Sequence, residues 1–284
     1  MFAVFRHTLG KSRGAILGWG LTLAALAMLF IPIYDSFAED LEALEQLMEI
    51  YPPELMAFFG ENVSITTLEG FVSLEFFSFM PLVLGVYAVL AGSGLIAGDE
   101  ESGVLDLVAA QPVSRSALYW GRLLSIWASV ILILALGWIG MMFATNFSDG
   151  VLDGGLLVGA FASLGALLIF FAGLSLLFSM VLPSRRSASM FSGIVLVASF
   201  FITGLASMND TIAKIADFSP MTYYQGDSWV NGLNNEWFLG LLGVGFLFML
   251  LAWWRFVRRD IRVGGEGGWK LKLPKMLQFG RGQA

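Results

Sequence analysis

Basic side chains are sorted almost completely to alternate connections between apolar runs, and this constrains the chain more than any other feature. About 20 predominantly apolar residues are needed to cross the hydrocarbon core of a bilayer. Six segments qualify: residues 15–33, 71–97, 118–145, 156–182, 187–207 and 237–257. The fourth and fifth are divided only by Pro183, Ser184, Arg185 and Arg186. Lys and Arg concentrate in cytoplasmic connections. With both termini placed inside, fifteen of the 16 Lys and Arg residues fall on the inner side, and Lys214 alone falls outside. Residues 35–69 carry nine acidic residues and no basic one. An odd number of crossings would destroy that asymmetry. The sequence therefore predicts an all-α integral membrane protein: one transmembrane domain over 1–284, six transmembrane helices, both termini cytoplasmic.

Composition agrees. Only 13% of the 284 residues are charged, against about a quarter in soluble domains, so the surrounding solvent is largely hydrocarbon. Without cysteine there are no disulfides and no thiolate metal sites. His7 is the single histidine, which leaves zinc hydrolysis and histidine acid–base chemistry almost nothing to work with. No nucleic-acid partner is expected. The run 15–33 is longer than a signal-peptide core and lacks a clear cleavage site, so it reads as an uncleaved first span. Gly10, Lys11 and Ser12 resemble the end of a P-loop, but the motif needs a glycine where Phe5 stands. No ATPase is expected in this chain.

Around the spans, Trp237, Trp253, Trp254, Tyr119 and Trp120 fit aromatic belts at the two interfaces. Small residues at four-residue spacing, Gly14/Gly18, Gly94/Gly98 and Gly155/Gly159/Ser163, suit close helix approach. Leu41, Leu44, Leu47, Met48 and Tyr51 predict an outer amphipathic helix ended by Pro52 and Pro53. Residues 209–236 are too polar to cross, but amphipathic enough to dip back into the membrane. Residues 1–13 fit a short interfacial helix on the inner leaflet, and the tail after Asp260 a basic segment drawn to anionic lipid. Glu75, inside the second span about one turn from its outer boundary, either reaches out to water or lines the outer end of a path. Arg122 is expected to snorkel to the cytoplasm.

The segment between the second and third spans carries the functional reading. Gly98, Asp99, Glu100 and Glu101 lead through Gly103 into Val104, Leu105, Leu107 and Val108, and Pro112, Val113, Ser114 and Arg115 follow. Three acids stand where bases are the rule, and a short apolar-faced helix stops before Pro112. Such a knob would seat on a soluble partner and pass a push to both helices. This segment resembles the first cytoplasmic loop of type 2 ABC transporter permeases. Tyr51, Pro52, Pro53, Glu54 and Leu55 with Phe59 and Gly60 are similar to the family's outer loop. Phe218, Ser219 and Pro220 with Tyr223 and Tyr224 resemble its last outer loop, and Phe256 to Asp260 its ending. The resemblance covers nearly the whole chain. Val104 departs from it, standing where many relatives have Thr.

The resemblance implies an exporter subunit of a prokaryotic plasma membrane, paired with a second permease copy or a related chain. It implies a separate nucleotide-binding ATPase, which would carry ATP and magnesium. The loop from Gly98 to Arg115 would be the coupling helix, and Pro220, Tyr223 and Tyr224 outer gate candidates. Two other classes remain open: an ion-driven carrier, which would need more buried ionisable groups than Glu75, and a non-transporting scaffold or sensor driven by an ATPase. The cargo is not written in the sequence, although the apolar spans suit a hydrophobic or amphipathic one.

Overall fold

A computed structural model describes residues 1–38, 66–105 and 112–259. Among these residues the protein is helical without strands, and six helical stretches are long and apolar enough to cross a membrane. Span 1 is Phe2–Ala38, span 2 Leu68–Gly94, span 3 Arg115–Phe147, span 4 Gly154–Val181, span 5 Arg185–Gly204 and span 6 Asn235–Arg258. Both ends of the described chain lie at one end of the bundle, here the terminal end. The opposite side is the far end.

The helices start where short polar side chains satisfy the first free N–H groups. Ser114 accepts from the Ala117 amide, Asp153 from Gly155 and Leu156, Ser184 from Ser187, and Asn234 from Glu236 and Trp237. Span 4 is the central element, with 72% of its apolar window buried. It is apolar on every face, as an enclosed helix must be. Spans 2, 5 and 6 pack around it, and span 1 lies along span 3. At the closest crossings a side chain has no room: a Cβ on Gly92 would sit 2.2 Å from the Ala172 carbonyl oxygen, and one on Gly173 2.6 Å from that of Gly245.

The small-residue stripes, whose spacing does not say whether the neighbour is in the same chain, meet different surroundings within it. Nothing lies within 4 Å of a Cβ placed on Gly14 or Gly18. Gly94 and Gly98 seat the Arg185 guanidinium rather than a helix backbone. Ser163 accepts a hydrogen bond from the Gln225 amide of the last connection, at 3.0 Å. Tyr119 is also a correction. It is fully buried instead of lying in a belt, and its hydroxyl donates to the Met249 carbonyl at 2.6 Å, tying span 3 to span 6.

The N-terminal segment differs from expectation as well. Residues 1–13 do not form a separate interfacial helix. They continue span 1 as one helix of 37 residues, about 55 Å long at 1.5 Å per residue. The hydrocarbon core is about 30 Å thick, so more than a third of this helix extends beyond it. The extension is held by span 3, where Gly121 lies against the Met1 carbonyl and Val4. The outer amphipathic helix expected over residues 41–51 and the basic tail lie outside the described residues.

Span 2 is interrupted. Leu68–Val72 runs into a π-helical turn at Ser73–Phe77, and the helix resumes at Met80–Gly94. Pro81, at the second position of the resumed helix, has no N–H to offer the carbonyl four residues earlier. That carbonyl belongs to Phe77.

Candidate functional site

Two places bring the singled-out residues together: the acidic turn at the terminal end and the broken turn of span 2 at the far end. In the first, span 2 ends at Gly94, and a short helix, Ala97–Glu101, follows. Its three acids reach three different elements. Asp99 Oδ2 pairs with Arg122 Nη2 of span 3 at 2.5 Å. Glu100 Oε2 pairs with Nη2 of Arg259, the residue capping span 6, at 2.5 Å. Glu101 Oε1 accepts from the Arg185 amide at 2.7 Å, at the first turn of span 5. A carboxylate at a helix N-terminus satisfies an orphan N–H and opposes the helix dipole favourably.

Arg122 therefore does not snorkel out. Its side chain is buried, and Nη1 donates to the Leu95 carbonyl at 2.8 Å. The end of span 2 supplies an unpaired carbonyl and a carboxylate together, a closer partner than bulk water. Glu100 is buried with its base, the arrangement in which a charge is tolerated only because it is paired. Arg115 Nη1 donates to the Arg259 carbonyl at 2.7 Å, fixing the start of span 3 to the end of span 6.

Beyond Glu101 the chain reverses. Gly103 has φ +71°, the left-handed region that glycine enters without a Cβ penalty. Val104 and Leu105 are helical again. Leu105 is fully buried, whereas Glu101, Ser102, Val104 and Pro112 are exposed. Among the described residues, the surface this turn offers to another molecule is thus Glu101 to Val104 with Pro112, while Glu100 and Leu105 face the chain's own interior. Gly98 lies beneath Arg185, 3.6 Å from its Nη1, and Leu107 lies outside the described residues.

At the far end the last connection folds onto span 2. The Tyr224 hydroxyl donates to the Phe77 carbonyl at 3.0 Å, and Trp229 Nε1 donates to Ser73 Oγ at 2.8 Å. Both partners belong to the π-turn. Burial raises the Tyr224 hydroxyl above the ordinary tyrosine range, and Asp227 raises it further, so it remains a donor. Trp229 is buried, with its ring 6.3 Å from that of Phe77. Gln225 closes the connection on itself through Asn234.

The three gate candidates separate. Pro220 and Tyr223 line a surface groove of about 460 Å³ with Trp237, whereas Tyr224 points into the bundle. Glu75 lies half-buried in the π-turn, with no ion-pair partner among the described residues. Sequence reasoning missed the parts played by Arg259, Arg185, Trp229 and Ser73. The excess of acid on a basic face was the signal for the first two.

The broken second span, the acidic turn after it and the Tyr224-bearing last connection lie in one chain of six apolar helices. No curated protein matches this sequence. The family model for ABC-2 family transporter proteins matches residues 2–261. The chain is a multi-pass membrane protein with the transport permease role of that family, and it belongs to the ABC-2 family of transporter proteins.

Proposed function

We propose that this chain is the membrane-spanning subunit of an ATP-driven exporter whose ATPase is a separate protein. Both termini and the acidic turn face the cytoplasm, consistent with the sorting of Lys and Arg. The exposed tip around Ser102 seats on the ATPase, which carries ATP and magnesium, and a second permease copy completes the transporter.

The observation that carries this reading is the bracing of the turn. It continues span 2, and Asp99, Glu100 and Glu101 fasten it to spans 3, 6 and 5. A push at the tip therefore reaches four spans at once. Differential affinity of the ATPase for two arrangements of these spans would supply the drive.

Expression with a candidate ATPase tests the proposal. The two should co-purify, and Ser102→Arg should abolish both the complex and stimulated ATP hydrolysis while leaving the membrane subunit folded. Ser102 is chosen because it is exposed and its hydroxyl bonds the Asp99 carbonyl of its own turn. Leu105→Glu would instead place a charge in the interior. Transport that survived ATP depletion and collapsed with an ion gradient would replace the proposal with the carrier reading.

A further inference from the structure

Between span 1, the end of span 2 and span 3 lies an open cavity of about 680 Å³ at the terminal end. Its deep end is closed by Trp19 and Tyr87, whose rings are 6.0 Å apart. Below them the wall is mainly apolar, with Leu90, Leu118 and Ile126, broken by the hydroxyls of Ser125 and Ser129. At the mouth it turns basic. Among the described residues Lys11, Arg122 and Arg185 all line it, against Asp99 as the one carboxylate.

These charges do not cancel. Asp99 is occupied by Arg122 at 2.5 Å and lies 4.0 Å from Lys11, whose side chain is 74% exposed. The Arg185 guanidinium is paired with no carboxylate among the described residues; it lies over Gly94, whose missing side chain leaves it room. Two cations are thus held at the rim of a cavity with an aromatic floor and aliphatic walls. A purely apolar guest would leave them unanswered, and a soluble anion would leave the apolar depth empty.

We propose that this cavity binds an anionic amphiphile, with its phosphate-type headgroup between Lys11 and Arg185 and its hydrocarbon portion running up to Trp19 and Tyr87. Charge-assisted bonds from two cations fix the headgroup, and the apolar wall adds affinity in proportion to the area covered. The inference builds on the export reading by naming its cargo class. Its test uses no ATPase, so either can fail alone.

The probe is lipid retention by the purified protein in neutral detergent, read by native mass spectrometry. The protein is offered phosphatidylglycerol, phosphatidylcholine or glycerol phosphate. Phosphatidylglycerol should be retained at least tenfold over phosphatidylcholine, and glycerol phosphate should not be retained. Lys11→Gln combined with Arg185→Gln should reduce phosphatidylglycerol retention about tenfold and leave phosphatidylcholine unchanged. Lys11→Gln alone, at an exposed position, should give a smaller loss without disturbing the fold. Arg255→Gln removes a cation of the same end that does not line the cavity, and should change nothing. Equal retention of the two lipids, an equal loss with Arg255→Gln, or retention of glycerol phosphate would each overturn the proposal.

Discussion

The Tyr224 hydroxyl stands 3.0 Å from the Phe77 carbonyl, in place of the amide that Pro81 lacks. A proline inside span 2 frees one acceptor, and the last connection returns across 147 positions of sequence to satisfy it. The same connection satisfies Ser73 through Trp229. π-turns recur at functional positions because they open the helical ladder locally. Here the opened ladder is the surface on which the far-end connection docks.

Tyr224→Phe should lower stability by about 1–3 kcal/mol, the cost of a buried acceptor left without a donor. Pro81→Ala restores an amide four residues from Phe77, so in the Tyr224→Phe background it should recover part of that loss. Thermal melts of the four proteins in a double-mutant cycle would show the coupling. Tyr223→Phe, whose hydroxyl bonds an exposed carbonyl at Asp217, should change stability by no more than about 0.5 kcal/mol.

Glu100→Ala should be among the most damaging single changes at the terminal end. It removes the carboxylate that Arg259 Nη2 bonds, where Glu100 is now 2% exposed, and breaking a buried pair costs about 3–5 kcal/mol. Replacing Glu100 and Arg259 together by Leu and Met should recover most of the loss. The measurement is the melting temperature of each variant in one detergent.

Arg122→Met should fail in a different way. It removes a donor from the Leu95 carbonyl as well as the partner of Asp99, so Asp99→Asn in the same chain should rescue it only in part. Residual instability in the double variant, measured by the same melts, would show the carbonyl's share.

Gly92→Ala should loosen the crossing of spans 2 and 4, because the new methyl meets a backbone oxygen that has no rotamer to yield. A loss of about 1–3 kcal/mol or more is expected. Gly14→Ala faces open space and should stabilise by up to about 1 kcal/mol through helix propensity. Melting temperatures moving in opposite directions would bear out both placements.

The spans were legible because each is a long, predominantly apolar run and Lys and Arg sort to alternate connections between them. Those signals are local. The direction of Arg122 was not legible, since it depends on a carbonyl freed 27 residues away. The same holds for Leu105, which belongs to an apolar face by pattern but turns inward after the Gly103 reversal. Small-residue spacing at Gly14/Gly18 did not say whether the neighbouring helix is in the same chain, and within this chain that face is open. The acids at 99–101 were conspicuous, and their neighbours in space, drawn from spans 3, 5 and 6, were not. The break in span 2 was not read from the sequence, where 71–97 reads as one run, although Pro81 stands inside it.

The protein has no cysteine, so Ser102→Cys gives a single thiol at the exposed tip of the braced turn. Its labelling by a membrane-impermeant maleimide is the most direct test of where that tip lies and what covers it. Reaction should occur in inverted membrane vesicles and not in intact cells, and should slow at least tenfold when the ATPase is bound. Labelling in intact cells, or an unchanged rate in the complex, would contradict a cytoplasmic turn seated on an ATPase.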